Sequence, residues 1–159
     1  MQNKDFILLK WKLKSNKEDA WIKVSGTSMF PILEDEDNVL LLKEDKYVVG
    51  DILVFAYGEK LIIHRCICLD SDGYVCKGDN AINIERISSK DILGRVVMLE
   101  RSGKRFLFIN GFMLKLLLRI RYKLESLLTQ TIKKRKSFSL FLRKSMLHLI
   151  CKCNLREAV

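Results

Sequence analysis

The chain has 159 residues, 48% of them apolar, with 29 Lys or Arg against 19 Asp or Glu and a formal net charge of +10. So large an apolar share excludes a disordered or low-complexity chain, and the length fits one domain with an appendage. Five cysteines, an odd number with no secretory leader ahead of them, argue for reduced thiols inside a cell rather than a disulfide framework.

Residues 1–20 hold Phe6-Ile7-Leu8-Leu9 and then Lys10-Trp11-Lys12-Leu13-Lys14. The apolar run is too short for a signal peptide or a membrane span, and the spacing of Phe6, Leu9 and Leu13 predicts a short helix with those three on one side. From Trp21 the period changes, and residues 21–24 predict a strand that runs into Val24-Ser25-Gly26-Thr27-Ser28-Met29-Phe30-Pro31-Ile32-Leu33. Gly26 frees the backbone two residues before Ser28 and Pro31 fixes φ three residues after it, so the Ser28 hydroxyl falls on a constrained turn. Read alone, a run of Gly, Ser and Thr is an ordinary turn.

The acidic stretch Glu34-Asp35-Glu36-Asp37 reads as a solvated loop, with a second strand over residues 39–42. Residues 51–56 and 61–69 predict a hairpin around residues 57–60, with His64 on its second strand. A period of two places His64, Cys66 and Cys68 on one face. Zinc sites use Cys-x-x-Cys spacing and the other histidine, His148, is far along the chain, so the reading is half-buried thiols, with no metal and no cofactor. Gly73 and Tyr74 open a short strand to Lys77, Gly78-Asp79-Asn80 forms a turn, and residues 92–100 and 105–109 predict a closing hairpin around residues 101–104.

Taken in order, Gly26-Thr27-Ser28-Met29-Phe30-Pro31, Gly50-Asp51-Ile52-Leu53-Val54-Phe55, Leu61-Ile62-Ile63-His64-Arg65, Lys77-Gly78-Asp79-Asn80 and Ile92-Leu93-Gly94-Arg95-Val96-Val97 resemble the boxes of the type I signal peptidase and LexA-like serine peptidase superfamily. The resemblance spans about residues 24–97. It implies a mostly β catalytic domain in which Ser28 is the nucleophile and His64 the general base. Most bacterial members carry Lys at the base position; His64-Arg65 is similar to the Ser/His branch found in the endoplasmic-reticulum type. Asp79 matches the aspartate of the Gly-Asp-Asn box. Glu85, before Arg86, falls where the family has Asp, so the acidic third member is open between Asp79 and Glu85. Ile32 follows Pro31 where signal peptidases commonly have Thr.

After Gly111 the composition shifts: residues 101–159 hold 15 Lys or Arg against 2 Asp or Glu, and residues 1–100 hold 14 against 17. Met113, Leu116, Leu117, Ile120, Leu124, Leu127 and Leu128 share one face of a predicted helix, with Lys115, Arg119 and Lys123 away from it, and residues 138–150 repeat the pattern. The apolar stripe is read first as packing, between the helices or onto the β domain. The basic face adds an anionic membrane surface as a partner. No apolar run reaches the length of a span, and no helix-turn-helix precedes residue 24, which argues against nucleic acid.

The sequence thus predicts three parts: a short helix over residues 1–20, a signal-peptidase/LexA-like β catalytic domain over residues 21–110, and a basic amphipathic α-helical tail over residues 111–159. The function expected is a serine endopeptidase that cuts a peptide or leader segment, in the cytoplasm or peripheral on a membrane, with an extended substrate along a strand edge and small side chains near the cut. Ser28 attacks the carbonyl and His64 takes its proton; the N–H groups of Ser28 and Gly26, with Thr27, are the expected oxyanion donors. The alternative is a catalytically silent peptide- or membrane-binding protein on the same fold.

Overall fold

The computed structural model describes residues 20–131, 146, 149–150 and 154–158. The helix expected over residues 1–20 and most of the second helical segment over residues 138–150 lie outside the described residues.

Among the described residues, nine strands form one curled antiparallel sheet: β1 (Ala20–Lys23), β2 (Asn38–Leu42), β3 (Ile52–Tyr57), β4 (Lys60–Asp70), β5 (Gly73–Lys77), β6 (Ile84–Ile87), β7 (Ile92–Arg101), β8 (Lys104–Phe108) and β9 (Leu155–Glu157). The main path runs β1-β2-β7-β3-β4-β5-β6, with β8 on β7 and β9 on β8. The mostly β class expected from the sequence is the class observed. β7 is the seam of the sheet. One of its edges carries β2; the other carries β3 along residues 92–95 and β8 along residues 98–101.

β3 shows why its sequence does not alternate. Ile52 and Val54 face one apolar cluster, with Ile22, Met29, Leu33 and Leu99, whereas Leu53 and Phe55 face a second, with Cys66, Cys76 and Ile87. A strand covered on both faces reads as a continuous apolar run. β6 lacks an apolar signature because the residue it turns inward is charged: Glu85 and Ile87 are buried, and Ile84 and Arg86 are exposed.

One helix, α1 (Phe112–Thr131), crosses the first cluster, with Leu114 and Leu118 fully buried in it. The buried face is rotated from the one that apolar spacing predicts: Leu116, Ile120 and Leu124 are 40%, 44% and 38% exposed, and the third inward residue is Arg121, at 1%. The helix turns inward the face that brings a guanidinium to a buried carboxylate. Among the described residues, no helix is long and apolar enough to cross a membrane.

Burying a leucine contributes about 1.5–3 kcal/mol, and truncating one leaves a cavity besides. Leu118→Ala is therefore expected to cost about 2–5 kcal/mol in urea unfolding. Leu116→Ala, on the opposite face, should stay within about 0.5 kcal/mol of wild type. Equal losses would mean that α1 does not turn Leu118 inward.

Candidate active site

Ser28 lies in the turn that follows β1. Gly26 takes φ +93°, a conformation open to glycine at low cost. The acidic loop after the turn is tied back to it, with Asp35 and Glu36 exposed and Asp37 buried. Gly26 N–H donates to Asp35 Oδ1 at 2.8 Å and Val24 N–H to the Asp37 carbonyl at 2.7 Å. Asp37 is buried against Arg101, whose guanidinium donates to both Asp37 oxygens at 2.8 and 2.6 Å, to Glu34 at 2.9 Å and to the Ile32 carbonyl at 3.1 Å. Because the Gly26 N–H is already given to Asp35, Gly26 is withdrawn as an oxyanion donor, leaving the N–H of Ser28, with Thr27 beside it. The Ser28 hydroxyl and N–H make no hydrogen bond to any described residue.

His64 stands on β4, buried, with its ring edge-on to Phe55 at 6.4 Å. Its Nδ1 lies 2.7 Å from Glu85 Oε2, both side chains being more than nine-tenths buried. The β5/β6 register, with Cys76 opposite Glu85, sets the carboxylate at this depth. With the carboxylate ionised and the ring neutral, Nδ1 carries the proton and Nε2 keeps its lone pair, because a carboxylate only accepts. Nε2 points to Gly78: a Cβ added there would lie 2.8 Å from it and 2.7 Å from the Ser28 carbonyl oxygen. The glycine is required by space, since both neighbours occupy the volume a side chain would need.

Asp79 makes a different set of contacts. Arg65, fully buried on β4, donates from Nε at 3.0 and 3.2 Å and from Nη2 at 2.7 Å to its carboxylate. The Asp79 N–H points to Met29 Sδ at 3.5 Å, and Arg121 of α1 donates to its carbonyl oxygen, with Nη1 3.5 Å from Oδ1. Of the two acids the sequence left open, Glu85 is the one on the imidazole and Asp79 the one on the arginines. The next residue grips the serine turn: Asn80 N–H donates to the Ser28 carbonyl at 2.7 Å and Asn80 Nδ2 to the Thr27 carbonyl at 3.2 Å.

Ser28 and His64 line one groove of about 470 Å³ between residues 22–29 and residues 59–64. Its walls are two strand edges with no ladder partner among the described residues: β1 pairs there with β2 alone, and residues 60–64 of β4 with β3 alone, because the β4/β5 ladder starts at Arg65, opposite Lys77. Ile22, Val24, Met29 and Ile62 supply apolar lining.

Of the two thiols expected on the His64 face, Cys66 is there, packed with Phe55 and Cys76, and Cys68 is not. A bulge between Cys66 and Cys68 leaves Cys66 buried opposite Cys76 and turns Cys68 to solvent. The hydrogen bond to Cys66, together with burial, raises the Cys76 thiol far above the ordinary range, so it stays protonated. Among the described residues no cluster of three or more His, Cys, Asp or Glu is arranged to hold a metal ion.

Two residues at the site carry no sequence motif. Arg121 is in register with Leu114 and Leu118 on α1, a cation on the line of a core stripe. Asn154 accepts from Arg65 Nη1 at 2.9 Å, from 89 residues away. No curated protein matches the chain. The family model described as Peptidase S24-like matches residues 2–97, more than half of the 159 residues, and that span holds Ser28, His64, Asp79 and Glu85. The chain belongs to the Peptidase S24-like family.

Proposed function

We propose that the chain is a serine endopeptidase in which Ser28 attacks a peptide carbonyl, His64 accepts and returns the proton, and Glu85 holds the imidazole. The observation that carries this reading is the His64–Glu85 contact of 2.7 Å, whose far nitrogen faces the Gly78 wall against which Ser28 also packs. With Nδ1–H tied to a carboxylate, the ring has one orientation and one tautomer, and the imidazolium formed on proton transfer meets a buried negative charge. Asp79 has a separate task in this reading, holding the turn that abuts both residues.

An extended peptide entering the groove finds N–H and C=O groups on both edges, which have no ladder partner among the described residues, so it binds as an added strand with its carbonyl beside Ser28. The Ser28 N–H supplies an oxyanion donor. Cleavage of a leader segment, with small side chains near the cut, is supported by the resemblance of the boxes.

A membrane-surface role for the basic tail is favoured by one specific observation. Leu116, Ile120 and Leu124 are exposed on α1 next to exposed Arg119 and Lys123, an apolar stripe flanked by cations on the solvent side of the helix. Such a face suits the boundary of an anionic bilayer.

Three outcomes are expected. A fluorophosphonate probe should label Ser28, located by peptide mass mapping. Ser28→Ala should abolish the labelling, and Glu85→Gln should slow it by about 10²- to 10⁴-fold through loss of the imidazole tautomer. An unlabelled, folded wild type would leave the silent binding protein as the reading. With a cleavable peptide in hand, His64→Ala should lower kcat/KM by about 10²- to 10⁴-fold, and an unchanged rate would rule His64 out as base. In sedimentation with vesicles of phosphatidylserine and phosphatidylcholine at low salt, the protein should pellet, and Ile120→Glu should leave it in the supernatant. Equal pelleting of the variant would dismiss the α1 face as the contact.

A further inference from the structure

We propose that Arg121 and Asn154 are positioning residues for the Ser28 and His64 pair, acting through Asp79 and Arg65; the proposal rests on the peptidase reading of that pair. Neither lies within residues 2–97, so the part of the chain that carries the nucleophile and base does not by itself close the cage around Asp79.

The contacts form a continuous chain. Arg121 is 1% exposed and donates to the Asp79 carbonyl, an acceptor that burial removes from water. Asp79 lies between Gly78, which packs on His64 Nε2 and the Ser28 carbonyl, and Asn80, whose N–H and side chain hold the carbonyls of Ser28 and Thr27. Anchoring Asp79 from the helix side therefore fixes both neighbours against the serine turn. A shift of this one turn moves the serine relative to the imidazole.

Asn154 secures the other end. Its Oδ1 accepts from Arg65 Nη1 at 2.9 Å while its Nδ2 donates to the Ile109 carbonyl at 3.0 Å. Ile109 N–H returns a bond to the Asn154 carbonyl at 2.8 Å, just before β9 joins β8. Arg65 follows His64 directly on β4, so locking its guanidinium between Asp79, Asn154 and the Gly50 carbonyl sets the rotation of the strand where the base is mounted. General packing glue would stabilise every element alike; these contacts converge on one turn and one residue of β4.

The test uses the full chain and two readouts, amide hydrogen exchange at Asn80 compared with amides of β3, and the rate of fluorophosphonate labelling at Ser28. In Arg121→Met, Asn80 protection should fall about tenfold beyond any change in β3, and labelling should slow about a hundredfold, the scale of a displaced reacting group. Arg121→Lys, which keeps the charge, should recover part of both, Asn154→Ala should shift both in the same direction, and Lys90→Gln, exposed in the turn before β7, should change neither. If Arg121→Met does not fold, Arg121→Lys and Asn154→Ala decide. Asn80 protection that merely tracks β3 in every folded variant, or a selective loss at Asn80 with labelling within about threefold of wild type, overturns the proposal. A wild type that is never labelled while Asn80 still loosens selectively sinks the peptidase reading and leaves the anchoring of the turn intact.

Discussion

A guanidinium and a carboxylate that leave water together must satisfy each other, and Arg65 and Asp79 do so with no exposed surface on either side chain. Desolvation makes such a pair costly to form, and removing one partner typically costs about 3–5 kcal/mol because the other charge stays buried. The architecture near the site follows from filling the remaining valences of this pair. Gly50 supplies a carbonyl, Asn154 an amide oxygen and Arg121 a second cation. Each comes from a different part of the chain, so the ion pair determines where the β3 entry, helix α1 and the segment before β9 must meet. His64 and the glycine its Nε2 faces lie one position away from it, His64 before Arg65 and Gly78 before Asp79.

Much of the sheet was legible in the sequence, because β2, the β3/β4 hairpin and the β7/β8 hairpin each combine apolar runs with Gly or polar turns. Three features were not, for one shared reason: partnered charges occupied core positions. β6 escaped because its inward residue is Glu85. The face of α1 was misjudged because apolar counting places Leu116, Ile120 and Leu124 inward, whereas the helix is turned by Arg121 seeking Asp79. The acidic loop after Ser28, read as solvated, holds Asp37 in a buried bidentate contact with Arg101. Periodicity ranks residues by apolarity and has no term for a charge whose partner is distant in sequence.

The site was legible to a different degree. Box order singled out Ser28, His64, Asp79 and Glu85 but left two acids for one position, since spacing alone says nothing about depth in a sheet. The β5/β6 register separates them geometrically, carrying Glu85 to the imidazole while Asp79 stays with the arginines. Gly26 shows the reverse case. Its conformational freedom was evident from sequence, yet its N–H was not available, because Asp35, nine residues on, had already taken it.

The distance along the chain between Arg65 and Asn154 also orders events in time. Closing a contact across 89 residues is entropically slow compared with forming the β3/β4 hairpin. Synthesis proceeds from the N-terminus, so Ser28 and His64 leave the ribosome before Arg121 and Asn154 have been added. The nascent chain therefore carries Ser28 and His64 through a period in which the Asp79 turn has no anchor from the helix or from the β9 segment. The turn that abuts Ser28 and His64 is thus completed by the segments of the chain that are made last.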